Sequence, residues 1–297
     1  MGDNMVCINN INEKDDSENV NYNVKGYPVY IHKSFLSQYP NYSCISHWHE
    51  DLEFIVVLSG QMYYNINGKI IKLLEGNGIL INSRRFHYGY SENATECDFI
   101  CILLHPSLFC VNEYFENLYV SPIIGNEQEN YLLLEQQIAW QQQILFLLKE
   151  IYESSKQNFD ILAIQQQIFT LWKILYSYFP IQKNNVKSNR QLTVVKDMVA
   201  FIQSHYKEKI SLDMIADSGK VCKSSCSALF QKYLSQTPIT YLTKYRLNKS
   251  LDLLFGTDMQ VTEISYEVGF SNASYYAETF KKYYHCTPKE YVKIHKN

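Results

Sequence analysis

The chain lacks any apolar stretch long enough to cross a bilayer. Runs such as Phe99–Leu104 and Ile144–Leu148 are short against the roughly 20 residues a helical span needs. Its start has no basic segment leading into an apolar one, so no secretory leader is expected. A cytoplasmic protein without a membrane partner is the expectation. Glycine (11) and proline (7) are too few in 297 residues for a fibrous or low-complexity chain. The eight cysteines form no disulfide framework. Cys222 and Cys226 stand four apart, but no second Cys or His pair accompanies them, so structural thiols are expected rather than a metal knuckle. No cofactor is implied.

What is present suits a globular chain of two domains: 46% of residues are hydrophobic and 19% charged. The net charge of −3 conceals an asymmetry. Residues 1–190 hold 13 Lys and Arg against 20 Asp and Glu, while residues 191–297 hold 14 against 10. A basic C-terminal piece on an acidic body points to a polyanion for that piece alone.

The patterns divide the chain into five segments. Residues 1–24, rich in Asn and acidic side chains, read as a disordered tail. Residues 25–127 read as short strands: Glu53–Leu58, Gln61–Ile66, Lys69–Leu73, Gly78–Ile81 and Asp98–Leu104, with a hairpin signal at Asn67-Gly68. Between 128 and 181 the period turns helical. Leu134, Ile138, Leu145, Leu148 and Tyr152 share one face, and Ile161, Ile164, Ile168, Trp172, Leu175 and Phe179 share another. Residues 182–190 read as a linker, and 191–297 as helices joined by short turns.

The last segment contains a repeat. Leu212-x2-Ile215-Ala216-x4-Val221 matches Val261-x2-Ile264-Ser265-x4-Phe270 at an offset of 49, and Leu229-Phe230-x-Lys232-Tyr233 matches Thr279-Phe280-x-Lys282-Tyr283 at 50. In each copy a short helix capped at Ser211 or Thr262 is expected, then a turn and a second helix, the helix-turn-helix plan. The run from Val261 to Tyr276, with Phe280-Lys281-Lys282-Tyr283 and Thr287-Pro288-x2-Tyr291, resembles the signature of the AraC family of transcription regulators. Thr237-Pro238-x2-Tyr241-Leu242-x3-Arg246-Leu247-x5-Leu253-Leu254 resembles that family's long linker helix. The resemblance covers about residues 192–295.

It implies an α+β multidomain protein. A cupin-like β-barrel with a helical dimerisation hairpin would precede an all-α domain with two helix-turn-helix units. It implies double-stranded DNA and a small-molecule effector as partners, RNA polymerase as a further one, a homodimer, and regulation, activation included, rather than catalysis. The departures are Cys222 where the family has a Ser cap, Gly219 one place early with Lys220 in the turn slot, and Ser250 and Ser265 where Ala is usual. The DNA-facing residues are expected to be Lys223, Ser224, Ser227, Ala228 and Lys232 on the first reading helix. On the second they are Ala273, Ser274, Tyr275, Ala277, Glu278, Lys281 and Lys282, and Lys244 and Arg246 of the linker helix should lie near phosphates.

His47-Trp48-His49-x3-Glu53 opens the strand region, and His87 follows the Gly78–Ile81 strand. Histidines two apart on a strand share a face; with Glu53 and His87 they make three imidazoles and a carboxylate. This resembles the cupin barrel, with a worn second motif in which Ser83 and Arg85 replace the common Pro and Gly. Three readings stay open here: hydrogen-bonded barrel histidines, an effector site, or a metal site. Tyr63, Tyr64, Tyr88 and Tyr90 would suit a pocket or the core. Two other functions compete: a metal-dependent cupin enzyme with an appended DNA-binding domain, and a thiol-responsive regulator using Cys222 and Cys226.

Overall fold

The computed structural model describes residues 20–156, 158–180 and 190–295. The chain divides into two compact units, one spanning residues 20–189 and the other beginning at Arg190. The expected tail lies outside the described residues up to Asn19, and the linker does so from 182 to 189. At their described ends both differ from expectation. Arg190 already opens a helix, and residues 20–24 are anchored. Tyr22 donates to Asp51 Oδ1 at 3.0 Å, and the Asn23 side chain bonds the backbone of Ile31 in both directions, at 2.6 and 3.2 Å.

The first unit holds β1 (Val29–Phe35), β2 (Leu52–Ile66), β3 (Lys69–Leu74), β4 (Gly78–Ile81), β5 (His87–Tyr90), β6 (Cys97–Leu104) and β7 (Tyr131–Leu134). All their pairings are antiparallel, in the order β1-β6-β2-β4-β7, with β3 and β5 also on β2. The two strands expected at 53–58 and 61–66 are halves of β2. The register slips between Val57 and Ser59, and Gly60 follows at φ +79, where a Cβ would lie 2.5 Å from the Glu96 carbonyl oxygen. Only glycine fits so close an approach at that angle, and the bulge turns the strand from one sheet layer into the next. Asn67 and Gly68 both take positive φ, the turn their sequence foretold.

Leu134 is corrected from helix to strand: it ends β7 and pairs with Gly78 of β4. After two short turns, α1 (Glu113–Phe115) and α2 (Ser121–Ile124), the helices α3 (Ala139–Lys156) and α4 (Ile161–Tyr178) cover one sheet face. Asp160 caps α4 by accepting from the Ala163 amide at 3.1 Å. Alternate residues of β2 serve two cores. Leu52, Phe54 and Val56 meet Leu148, Ile168 and Leu171 of the helices; Ile55 and Val57 join Met62, Tyr64 and Ile66 inside the barrel. Each fully buried Leu or Ile contributes about 1.5–3 kcal/mol. Leu148, on a helix of the expected dimerisation hairpin, is fully buried in its own unit; the exposed large apolar residues of the two helices are Phe146, Ile161, Leu162 and Tyr178.

Among the described residues the second unit has seven helices: α5 (Arg190–His205), α6 (Leu212–Ser218), α7 (Lys223–Leu234), α8 (Pro238–Gly256), α9 (Val261–Glu267), α10 (Ala273–Tyr284) and α11 (Pro288–His295). The repeat holds in space. Helices α7 and α10 are 12 residues each, both end on a left-handed residue, Ser235 and His285, and Thr-Pro then starts the next helix. Ser211 caps α6, but Thr262 does not cap α9. Gln260 does, in a reciprocal box with Glu263. The displaced glycine also has a reason. Lys220 takes the positive φ of the turn, while Gly219 packs where a Cβ would lie 2.7 Å from Met198 of α5.

Candidate functional site

Inside the barrel, β2 and β5 bring Glu53 and His87 together with the extended segment that carries His47 and His49. His47 pairs with His87 through both backbone hydrogen bonds, at 3.1 and 2.9 Å. One candidate ligand atom from each of the four residues lies within 4.8 Å of the other three, and His49, Glu53 and His87 are buried. Each ring is fixed from behind. His47, His49 and His87 place Nδ1 at 2.7, 3.1 and 2.8 Å from the carbonyl oxygens of Ile45, Asp51 and Arg85. A carbonyl only accepts, so each Nδ1 carries the proton, and a neutral ring then keeps its lone pair on Nε2.

The Nε2 atoms of His49 and His87 reach Glu53 Oε2 at 3.3 and 2.9 Å, while Tyr64 donates to Oε1 at 2.7 Å. Between a lone pair and a carboxylate oxygen something positive must sit, either a proton on the ring or a cation. Burial opposes ionisation of Glu53, but His87 and His49 outweigh it and hold the carboxyl well below the usual range. Burial, then His87 and His49, push His47 down to about 3, so it stays neutral. Burial and Glu53 keep Tyr64 a phenol. Three preoriented imidazoles and one carboxylate fit a first-row divalent cation.

In the second unit the exposed side of α7 presents Lys223, Ser224, Ser225, Ala228, Gln231 and Lys232. The matching side of α10 presents Ser274, Tyr275, Glu278, Lys281 and Lys282. Asn272 caps α10, accepting from the Ser274 and Tyr275 amides at 2.7 and 3.2 Å. Behind these faces Phe230, Tyr276 and Phe280 are fully buried. A helix that offers one polar face beyond a tight turn is built to enter a major groove.

The N-terminal sheet unit matches the AraC-like ligand binding domain over residues 35–171, and residues 215–294 match a helix-turn-helix domain. An uncharacterized HTH-type transcriptional regulator of Bacillus subtilis, YdeC, is 32% identical over 90% of this chain and 92% of its own. The chain belongs to the AraC family of transcriptional regulators. The melibiose operon regulatory protein of Escherichia coli is 24% identical over 86% of this chain and 85% of its own. Among solved structures, ToxT from Vibrio cholerae aligns over 90% of this chain and 98% of its own, with TM-score 0.46 and 14% identity.

For an AraC-family chain the expected residues fall in three groups. His47, His49, Glu53 and His87 converge as their spacing indicated. Ser224, Ala228, Ser274, Tyr275, Glu278, Lys281 and Lys282 are exposed, whereas Ser227, Ala273 and Ala277 are half-buried at the helix flanks. Lys223 pairs with Asp213 at 2.7 Å, and Lys232 donates to Gln191 at 2.8 Å; both contacts are exposed and exchangeable for a phosphate. Lys244 and Arg246, expected near phosphates, have partners within the unit. The Lys244 ammonium sits over the Tyr283 ring, and Arg246 spends its donors on backbone carbonyls. Of the tyrosines only Tyr64 reaches the cluster, and Tyr63, Tyr88 and Tyr90 stack on one another elsewhere. Sequence reasoning passed over Ser225 and Gln231, although the offset of 50 aligns them with Tyr275 and Lys281.

The two cysteines part company. Cys226 is buried and burial pushes its thiol up to about 11. Cys222 is exposed at the head of α7, and hydrogen bonds from Ser224, Ser225 and the Ser225 amide lower its thiol to about 6. Above pH 6 it is therefore mostly thiolate, the reactive form. Iodoacetamide at pH 7 should label Cys222 first among the described cysteines, with a rate midpoint near pH 6. Bound operator DNA should protect it. Labelling of Cys226 at an equal rate, read by peptide mass, would refute this.

Proposed function

We propose that this AraC-family regulator acts in the cytoplasm and reads DNA with α7 and α10. We place its effector at His47, His49, Glu53 and His87, and an effector bound there includes a divalent first-row cation. The observation that supports this most is the backbone anchoring of all three Nδ1 atoms, which leaves each Nε2 lone pair free and brings those of His49 and His87 to the Glu53 carboxylate. A cation at this point would supply the positive charge that the converging lone pairs and carboxylate call for. The chain's own residues set the rest: Tyr64 orients Glu53, and Ile45, Asp51 and Arg85 fix the imidazole tautomers. Regulation rather than catalysis is favoured by relatives that are transcription regulators. Pairing of two copies through Phe146 and Leu162, and contact with RNA polymerase, belong to the same reading.

The DNA half is tested by changing Glu278. Its carboxylate can accept from a cytosine amino group, and Tyr275 beside it can pack on a thymine methyl. Glu278→Ala should relax the preference at one base pair by roughly 1–3 kcal/mol in a selection on randomised sites. A uniform gain for every sequence would instead make Glu278 a phosphate repeller. The effector half is tested by removing metal from the full-length protein with a chelator and adding back cobalt, nickel, zinc or manganese. Thermal stabilisation and a change in operator affinity are expected from at least one ion. A response to none of them would remove the cation from the reading.

A further inference from the structure

Two helix-turn-helix units joined by one helix would be free to twist about it, so their spacing on DNA needs a second tie. The structure places one midway along α8. Arg246 projects from α8 to the loop between α5 and α6. There Nε donates to the Tyr206 carbonyl at 2.7 Å and Nη2 to the Glu208 carbonyl at 2.6 Å. The turn before α10 presses on the same loop. A Cβ on Gly269, which has φ +87, would meet the Tyr206 carbonyl oxygen at 2.3 Å and the Arg246 Nε at 3.0 Å. Lys207 of the loop forms an ion pair with Glu267 at the end of α9, and the Arg246 guanidinium lies 5.9 Å from the Phe270 ring centre. Loop carbonyls of the first helix-turn-helix, a side chain of the connecting helix and the turn of the second helix-turn-helix thus meet at one point.

We propose that Arg246 is a positioning residue that fixes the separation and relative angle of the two reading helices, and so the spacing of the two base segments the protein accepts. A planar guanidinium suits the task because it offers parallel donors to two carbonyls of the loop that follows α5. A lysine ammonium is a single point and cannot hold both in one plane. The role differs from a phosphate contact, which would affect affinity for every sequence and leave spacing alone.

The test uses the full-length protein in a selection on DNA with two randomised segments separated by a variable number of base pairs. The parent should enrich one separation. Arg246→Ala should keep the base preferences within each segment but accept neighbouring separations, with a loss on the order of 10- to 100-fold at the parental spacing. Arg246→Lys should recover part of the discrimination. Glu267→Gln breaks the exposed ion pair at the same junction without touching the core, and should broaden spacing in the same direction by less. It also decides the question should the Arg246 variants fail to fold. An unchanged spacing distribution in the folded variants, or a salt slope shallower by about one unit with uniform weakening, would overturn the proposal.

Discussion

Glu53→Gln abolishes most of the stabilisation that an added divalent cation gives the chelator-treated protein; that is the largest effect expected in the first unit. Glutamine keeps the shape and still accepts from Tyr64, but it removes the charge that the Nε2 atoms of His49 and His87 reach. A ligand at 100 times its Kd stabilises by about 2.7 kcal/mol, which for a unit of this size is a shift on the order of 5–10 °C in Tm. The variant should need at least tenfold more metal for the same shift, read by differential scanning fluorimetry and calorimetric titration. An identical response in parent and variant would place the ion elsewhere. The pH dependence without metal has a definite sign. His47 is neutral when folded, with its pKa pushed from 6.5 to about 3, so below about pH 6.5 the unfolded chain binds a proton that the folded one refuses. Its contribution is therefore present above pH 6.5 and is lost progressively as pH falls toward 3.

Phe280→Ala should unfold the second unit while sparing the first. Phe280 is fully buried and its ring centre lies 4.4 to 5.7 Å from those of Tyr276, Tyr284 and Tyr291. Removing such a ring from a small helical core costs about 3–5 kcal/mol, comparable with the whole stability of a domain of this length. DNA binding should vanish, while the metal-dependent transition of residues 20–180 stays where it was. Limited proteolysis checks this: a protected fragment of the first unit with loss of the second is the expected pattern. Simultaneous loss of both units would contradict their independence.

The sequence made the second unit readable because its information is local. Helix periods, caps and a repeat at 49 and 50 lie within a few residues of each other, and the helices formed where expected. Only the cap of α9 was misplaced, because Gln260 does with Glu263 what a threonine usually does. The first unit was less readable for two reasons. Leu134 continues the apolar spacing of α3, so nothing local separates a four-residue strand from the helix that follows. Glu53 and Tyr64 stand an odd number of residues apart, and strict alternation would put them on opposite faces. The extra residue at Val57–Ser59 reverses the parity and turns both inward. The His and Glu set escaped this difficulty because His47, His49 and Glu53 all precede the bulge. The partners of Arg246 were not legible for a different reason: composition says that an arginine on a DNA-binding domain is basic, but not which acceptors its fork meets.

The strand order has a consequence for synthesis. Strand β1 pairs with β6 and β4 with β7, so the first residues of the sheet wait for partners some 70 positions later, and its apolar outer face is sheltered only when α4 is complete. The emerging chain must carry unpaired strands until about residue 134, and an uncovered apolar face until about residue 180, has left the ribosome. The helical unit makes its contacts over short separations and can close within moments of being made. A slow or paused stretch of translation after α4 would therefore favour yield, and shuffling the order of the two units on the messenger would leave the sheet the more aggregation-prone partner in either arrangement.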